Sequence, residues 1–474
     1  MSIFETFKPV YGLLPEVKAP TEKPPLKKRL IWTATALLIF FIMGNIKVLG
    51  LSAQSAGQLN QLQVILASQI GTLITVGIGP IVLASIVLQL LVGGGLVNLD
   101  LSNPADKSQF SGMQKLLAII LSFFEAAVFS MTGYLTPAEG MFPFVVLQVA
   151  IGSIILLYLD EVVSKYGVGS GIGLFIAGGV AGSIIWRVFS PLDAMLNISL
   201  TNGSGLIFQF FNQVGTNLMG AFIVALLPII FTLIVFFVVV YAEGIHVNIP
   251  ITMGRRGTGG RYPVKFLYVS NMPVILAAAL FANMSIWASL VKDIPFIGGF
   301  MTGIATIVIP PYGLMQQVLL EGLSPEIFSQ MIESVLSLQF IGLGGSVIHA
   351  GIYIGILVIA CIIFGRFWIE LGGQGPDKVA EQLQRAGMYI PGFRRDPRII
   401  KQVLDRYIPT ITILGSAFVG LLAGFADLTG AIGSGTGILL TVGIVYRLYE
   451  ELAKEQLMEM HPMLGRIFGQ GGSF

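Results

Sequence analysis

Gly433-Ser434-Gly435-Thr436-Gly437-Ile438-Leu439-Leu440, near the end of the chain, repeats the pattern of Gly169-Ser170-Gly171-Ile172-Gly173-Leu174-Phe175-Ile176. A second matching pair, Gly79-Pro80-Ile81-Val82-Leu83-Ala84-Ser85 and Met272-Pro273-Val274-Ile275-Leu276-Ala277-Ala278, falls inside two other apolar stretches. Counted along the chain, the first pair lies in the fifth and tenth apolar stretches and the second pair in the second and seventh. One short glycine-rich match arises easily by chance in an apolar sequence. Two pairs sharing an offset of five spans point to a duplicated five-span half.

The composition sets the class within which that repeat is read. Of 474 residues, 54% are hydrophobic and 11% charged, and the mean hydropathy is +0.84, which excludes an ordinary soluble domain. Stretches able to cross a hydrocarbon core, which takes roughly 20 residues, cover residues 31–50, 70–96, 116–135, 142–159, 169–189, 218–241, 266–291, 347–368, 408–428 and 430–446. They lack the dyad alternation of barrel strands, and a helix satisfies its own backbone in lipid. The expectation is therefore an all-α membrane protein forming a single integral domain. Its ten transmembrane helices fall into two pseudo-symmetric five-span halves, residues 1–200 and 201–474, which an odd number of spans per half leaves inverted.

Charge placement orients the chain. All but three of the 27 Lys and Arg residues, namely Lys47, Arg187 and Lys292, fall on one side if the spans alternate from a cytoplasmic N-terminus, a strong positive-inside pattern. An eleventh span at residues 300–314 would spoil that pattern, and Pro310-Pro311 interrupts it. Trp32, Trp186, Trp287 and Trp368 lie near span ends, as an interfacial belt requires. The first 29 residues are charged and lack a long apolar core, so insertion is expected to start from the first span itself, with residues 3–17 as an amphipathic surface helix. The single cysteine, Cys361, gives neither a disulfide framework nor a thiolate metal cluster.

Two cytoplasmic loops exceed what connection needs. Residues 242–265 include Met253-Gly254-Arg255-Arg256-Gly257-Thr258-Gly259-Gly260-Arg261, and residues 370–407 include a helix opened by Gly375-Pro376, then Phe393-Arg394-Arg395-Asp396-Pro397-Arg398. These arginines are either positive-inside anchors or glycine-flanked fingers for phosphate, which makes an RNA-rich cytoplasmic partner plausible. On the outer side, residues 58–68 are too short to cross and too apolar to float. They read as a half-helix folded back into the membrane or a helix lying on its surface.

Catalytic chemistry is missing. His246, His349 and His461 are scattered, and Tyr158-Leu159-Asp160 has no Gly-Xaa-Gly-Asp partner for intramembrane proteolysis. The glycine runs lack the Lys-Ser/Thr of a phosphate loop. No catalytic residue, metal or cofactor is expected. Glu125, well inside the third span, costs about 2.5 to 3.5 kcal/mol on insertion scales; either Asn283 in the seventh is its partner, or the lone carboxyl is protonated and faces a packed seam. A secondary transporter with inverted repeats is the alternative reading, but it calls for polar groups at the midplane. Here the glycine-marked centres are dominated by Ile, Val and Leu, which suits a pore closed by dewetting at an apolar constriction.

Residues 70–80 (IGTLITVGIGP), 158–176 (YLDEVVSKYGVGSGIGLFI), 262–283 (YPVKFLYVSNMPVILAAALFAN) and 391–395 (PGFRR) closely resemble the large subunit of the SecY-type protein-conducting channel, in its archaeal and eukaryotic form. The resemblance implies a non-enzymatic channel that moves unfolded secretory polypeptides and releases transmembrane segments sideways into lipid. It implies a pore ring of Ile78, Val82, Ile172, Ile176, Ile275 and Leu440, and a plug at 58–68 that includes Gln58, Leu59, Leu62, Val64, Ile65 and Ser68. The lateral gate would open between spans two and three on one side and seven and eight on the other, with Glu125 and Asn283 as its polar cluster. Relatives carry a threonine where this chain has Leu83, leaving Ser85 as a substitute hydroxyl. Arg255, Arg256, Arg261, Arg394, Arg395 and Arg398 resemble ribosome-docking positions. The implied partners are the ribosome, nascent chains, lipid and two small single-span subunits. The implied location is an archaeal cell membrane with both termini cytoplasmic, or alternatively the endoplasmic reticulum.

Overall fold

The computed structural model describes residues 9, 12, 14–22, 24–52, 70–93, 97, 99, 104–191, 203–253, 258–292, 294, 296–321, 329–330, 332–333, 342–371, 374–385, 388–389 and 397–460. Every expected span has a helix. These are α1 (Leu26–Asn45), α2 (Gly79–Gly93), α3 (Pro104–Met131), α4 (Phe142–Tyr166), α5 (Gly171–Phe189), α6 (Leu218–Gly244), α7 (Met272–Val291), α8 (Gly342–Leu371), α9 (Pro397–Leu428) and α10 (Gly435–Met460). Among the described residues, seven of the ten are long and apolar enough to cross a membrane along one helix, whereas α2 is shorter. α6 contains a π-helical turn at Phe222–Leu226 just before Pro228, where a missing N–H breaks the regular ladder.

The repeat seen in the sequence governs the packing. In the first half α2 packs on α3, α3 on α4, α4 on α5, and α1 on α4 and α5. In the second half α7 packs on α8, α8 on α9, α9 on α10, and α6 on α9 and α10. Contacts between the halves follow the same exchange: α5 meets α10, α2 meets α7, and the pair α2–α8 is matched by α3–α7. The helix Ile297–Val308 lies beyond α7 and, at 12 residues, is about 18 Å long at 1.5 Å per residue, too short to be an eleventh span.

The glycine-serine runs open α5 and α10 with the same device. Ser170 Oγ accepts from Gly173 N at 3.5 Å, and Ser434 Oγ accepts from Gly437 N at 3.1 Å. A carboxylate from the preceding helix takes a further free N–H: Asp160 Oδ1 accepts from Ile172 N at 2.8 Å and Asp427 Oδ1 from Gly435 N at 2.7 Å. Asp160 is thus a helix cap, which explains a carboxylate at this span end without any proteolytic role. Ser434 is buried and Ser170 is exposed, so the two caps differ in what water replaces. Ser434→Ala is expected to cost about 1 kcal/mol and Ser170→Ala distinctly less, read as a shorter half-life of monodisperse protein on heating in detergent.

Three expectations about segment ends are corrected. The second span is not helical throughout, because residues 70–78 form turns and the helix begins at Gly79. Gly71 and Gly77 have φ of 86° and 60°, outside helical geometry, and Pro80 then seeds α2. The freed backbone groups are met by protein: Leu73 N donates to Ile46 O at 3.0 Å, Thr75 Oγ1 accepts from Gly71 N at 3.1 Å, and Ser153 Oγ donates to Gly77 O at 3.0 Å. The loop of residues 370–407 ends early, since α9 already begins at Pro397. The loop of residues 242–265 is largely an antiparallel hairpin, β1 (His246–Met253) and β2 (Thr258–Lys265), the main departure from an all-helical chain.

Polar ties fasten several of these helix ends. Arg29 Nε donates to Gly167 O at 2.8 Å, and Thr33 Oγ1 accepts from Val168 N at 2.9 Å, docking α1 on the turn before α5. Glu161 of α4 bridges Lys115 of α3 at 2.8 Å and Lys165 at 2.9 Å. Lys165 also reaches Glu16 at 3.0 Å and the Val17 carbonyl, and Tyr166 donates to Lys18 O, which straps the N-terminal segment to α4.

Candidate functional site

Four helices bring the six expected ring residues into one apolar cluster. Ile78 and Val82 flank the start of α2, Ile172 and Ile176 sit in the first turns of α5, Ile275 in the first turn of α7, and Leu440 early in α10. Ile78, Ile176 and Leu440 are buried in the largest core cluster, and Val82, Ile172 and Ile275 pack against it. Each helix begins at a glycine, a proline or both, so the chain can turn and direct its first side chains inward.

A cavity of about 510 Å³ adjoins the cluster. Its lining contains Val82, Ile172, Ile176, Ile275 and Leu440, together with polar groups such as Arg29, Gln89, Arg447 and Glu451. Ile78 is absent from that lining and is 1% exposed. Five of the six expected ring residues thus share the lining of one cavity with polar side chains. Among the described residues no group of His, Cys, Asp and Glu could hold a metal ion.

The expected gate pair is placed on the facing helices but not joined. Glu125 on α3 and Asn283 on α7 are each 3% exposed where α2, α3, α7 and α8 meet. Asn283 Nδ2 donates to Ala279 O within its own helix at 2.9 Å, while Glu125 Oε1 has no hydrogen-bond partner. The expectation that Asn283 partners Glu125 is therefore corrected: the amide satisfies its donor locally, one turn back along α7. Leu83 is buried and Ser85 accepts from Gln89 Nε2 at 3.0 Å while lining the cavity, so Ser85 is committed on the cavity side.

The two basic arms form one body. β3 (Met388–Tyr389) adds to β1, giving the strand order β2-β1-β3, with Thr252 opposite Tyr389 and Met253 opposite Met388. Beneath them Ile249 and Val264 share an apolar cluster with Leu383, Ile400, Leu404 and Ile408, which joins the sheet, the helix Pro376–Arg385 and α9. Arg261 lies in β2 opposite Pro250, and Arg398 is exposed in the first turn of α9. Arg255, Arg256, Arg394 and Arg395 lie outside the described residues, as do Gln58, Leu59, Leu62, Val64, Ile65 and Ser68.

Sequence reasoning passed over several polar residues at this site. Asp427, 2% exposed, accepts from Tyr353 Oη at 3.1 Å in addition to Gly435 N. Asn271 Nδ2 donates to Leu439 O at 2.7 Å, tying the start of α7 to α10 beside Leu440. The signals were present, since an Asp at a span end and an Asn immediately before Met272-Pro273 are both capping residues.

Comparison with known proteins gives one consistent result. The family profile described as SecY matches residues 72–449, and the profile described as the plug domain of Sec61p matches residues 38–71. The chain is 45% identical to the protein translocase subunit SecY of Methanothermobacter thermautotrophicus, over 98% of this chain and 99% of that one. It is 43% identical to the protein of the same name from Methanocaldococcus jannaschii, with coverage of 98% and 99%. Among solved structures it is similar to one titled as a protein conducting channel, with TM-score 0.79, 42% identity and coverage of 96% and 98%. It is also similar to Sec61 in the canine ribosome-channel complex from the endoplasmic reticulum, with TM-score 0.77, 42% identity and the same coverage.

Proposed function

The chain belongs to the SecY family, and from that premise we propose that it is the central, pore-forming subunit of a protein-conducting channel. It passes unfolded secretory polypeptides through the membrane and releases apolar segments sideways into lipid. It is a channel rather than an enzyme, and the elongating chain or a partner supplies the energy. The observation that carries this reading is that six Ile, Val and Leu side chains, at or near the starts of four helices, fall in or against one apolar cluster, and five of them line a cavity that also carries polar groups. An apolar ring closes around any side chain without selecting one, and excludes ions by dewetting when empty.

The lateral exit is the seam between α2–α3 and α7–α8, where Glu125 and Asn283 are buried. The plug is the segment around residues 58–68, within the stretch that matches the plug-domain profile. The halves, residues 1–200 and 201–474, rock against each other about the α5–α10 contact. The sheet joining the two basic arms suits a ribosome partner, as the ribosome-bound Sec61 relative supports. Two small single-span subunits complete the assembly. The archaeal relatives favour a cell membrane as the location, with both termini on the basic, cytoplasmic side.

Site-specific crosslinking tests the core of this reading. A photoreactive residue at position 275, in proteoliposomes containing the partner subunits and a ribosome-stalled secretory chain, is expected to capture that chain. Arg394→Glu is expected to abolish the adduct by preventing docking. A channel that binds ribosomes but gives no adduct at position 275 places the polypeptide path elsewhere.

A further inference from the structure

Beyond α7 the chain runs from Ile294 to Leu320 without a charged residue, and the helix Ile297–Val308 within it has two unlike sides. It packs on α7 and α8, with Gly298, Ala305 and Val308 buried. On its outward side Phe296, Ile297, Phe300 and Ile307 are exposed, Phe296 at 92% and Phe300 at 65%. A helix lying between protein and water turns polar residues outward. Here the outward positions carry no charge, and Thr302 and Thr306 are their only polar side chains.

The position of this helix along α7 is fixed. α7 follows the sheet of basic arms and, at 20 residues, is about 30 Å long at 1.5 Å per residue, the thickness of a hydrocarbon core. Its far end therefore reaches the membrane boundary opposite the arms. Gly298 holds the short helix there: a Cβ at this position would lie 2.6 Å from Val291 O and closer still to Lys292 O. The first turn thus rests directly on the last residues of α7.

Two observations point to what covers the outward side. Phe296 has φ 67° and ψ −53°, a conformation unfavourable for a residue with a Cβ and kept only where the surroundings offset it. So exposed a side chain finds no such compensation within the chain. Thr302 Oγ1 donates to Gly298 O at 2.6 Å, and Thr306 Oγ1 donates to Gly303 O at 2.8 Å. Facing water, a hydroxyl has partners without turning back to its own helix, whereas facing hydrocarbon it has none. Gly299 and Gly303 would admit a second helix at close range, but Phe300 stands exposed between them.

We propose that this side lies among the acyl chains of the leaflet opposite the basic arms, making Phe296 and the helix Ile297–Val308 a lipid anchor for the far end of α7. With protein on one side and lipid on the other, the helix has no need of the charged face that an interfacial helix turns to water. The anchor requires α7 to be a membrane span and is independent of the pore assignment.

Nitroxide accessibility tests it. In the full chain carrying Cys361→Ala, reconstituted with the partner subunits in phosphatidylcholine–phosphatidylglycerol vesicles, Phe296→Cys, Phe300→Cys and Ile307→Cys are spin-labelled one at a time. Phe237→Cys, on the exposed side of α6, is the lipid reference, and Tyr449→Cys, beside Glu450, is the water reference. The three labels are expected to collide several-fold more often with oxygen, which concentrates in acyl chains, than with a water-soluble nickel chelate, as position 237 does. Collisions mainly with the chelate, as at position 449, put this side in water and overturn the proposal. Collisions with neither mean that a second copy or a partner subunit covers it, which overturns the proposal equally. Phe300→Trp gives the same reading without a cysteine: its added fluorescence is expected to be quenched by brominated acyl chains, and quenching by aqueous iodide instead refutes the anchor.

Discussion

Ile275→Asn and Ile78→Asn each turn the resting channel into an ion leak. The proposed waist is apolar packing rather than a charge, with Ile78, Ile176 and Leu440 buried in one cluster and Val82, Ile172 and Ile275 against it. Water enters such a constriction only by giving up hydrogen bonds, and an ion must follow the water. An amide in the ring restores a hydration site at the narrowest point. If it retains about 1.4 kcal/mol of favourable hydration there, ion passage rises about tenfold. The two positions also control for damage to the fold. Ile275 is partly exposed to the cavity, so its amide reaches water, whereas Ile78 is 1% exposed and its replacement buries an amide. Leak from Ile275→Asn with normal thermal stability therefore isolates the seal from folding. Single-channel recording in planar bilayers measures it, and wild-type conductance in both variants removes these residues from the constriction.

The parts of this channel legible in the sequence share a cause: each is written in local composition. Apolar length marked ten spans because lipid demands it, and the two Gly-Ser-Gly runs marked equivalent positions in two halves. What escaped notice depends on long-range geometry. Hydropathy cannot distinguish a helix from residues 70–78, which are equally apolar but turn at Gly71 and Gly77, with Leu73 N donating to Ile46 O and Gly77 O accepting from Ser153. The pairing of β1 with β3 joins residues more than 130 positions apart, Thr252 with Tyr389, and no periodicity within either arm announces it. Glu125 and Asn283 were read as candidate partners from different spans, but which group an amide donates to is settled by its rotamer, and Asn283 turns to Ala279. Asp160 was read for missing chemistry, when its neighbour in space was the start of α5.

Gly435→Ala and Gly171→Ala destabilise the protein far more than Gly173→Ala, although all three glycines belong to the same repeated motif. A Cβ at Gly435 would lie 2.0 Å from the Ala423 carbonyl oxygen, and one at Gly171 would lie 2.5 Å from Asp160 Cα. Both obstacles are backbone, so relief requires moving α10 off α9 or α5 off α4, and with them the carboxylates that cap α10 and α5. A Cβ at Gly173 meets only Ile444 side-chain atoms, the nearest at 3.6 Å, an ordinary contact. Overpacking against backbone is expected to cost about 3 kcal/mol or more, whereas Gly173→Ala replaces a glycine in the first turn of α5 without a clash and is worth at most about 1 kcal/mol in the opposite direction. The measurement is the half-life of monodisperse protein on heating in detergent, since large membrane proteins unfold irreversibly. A sharp fall for the first two with none for the third identifies the motif as two close helix crossings. Equal losses at all three positions make the glycines a matter of backbone flexibility instead, and the repeat then marks a hinge rather than a joint.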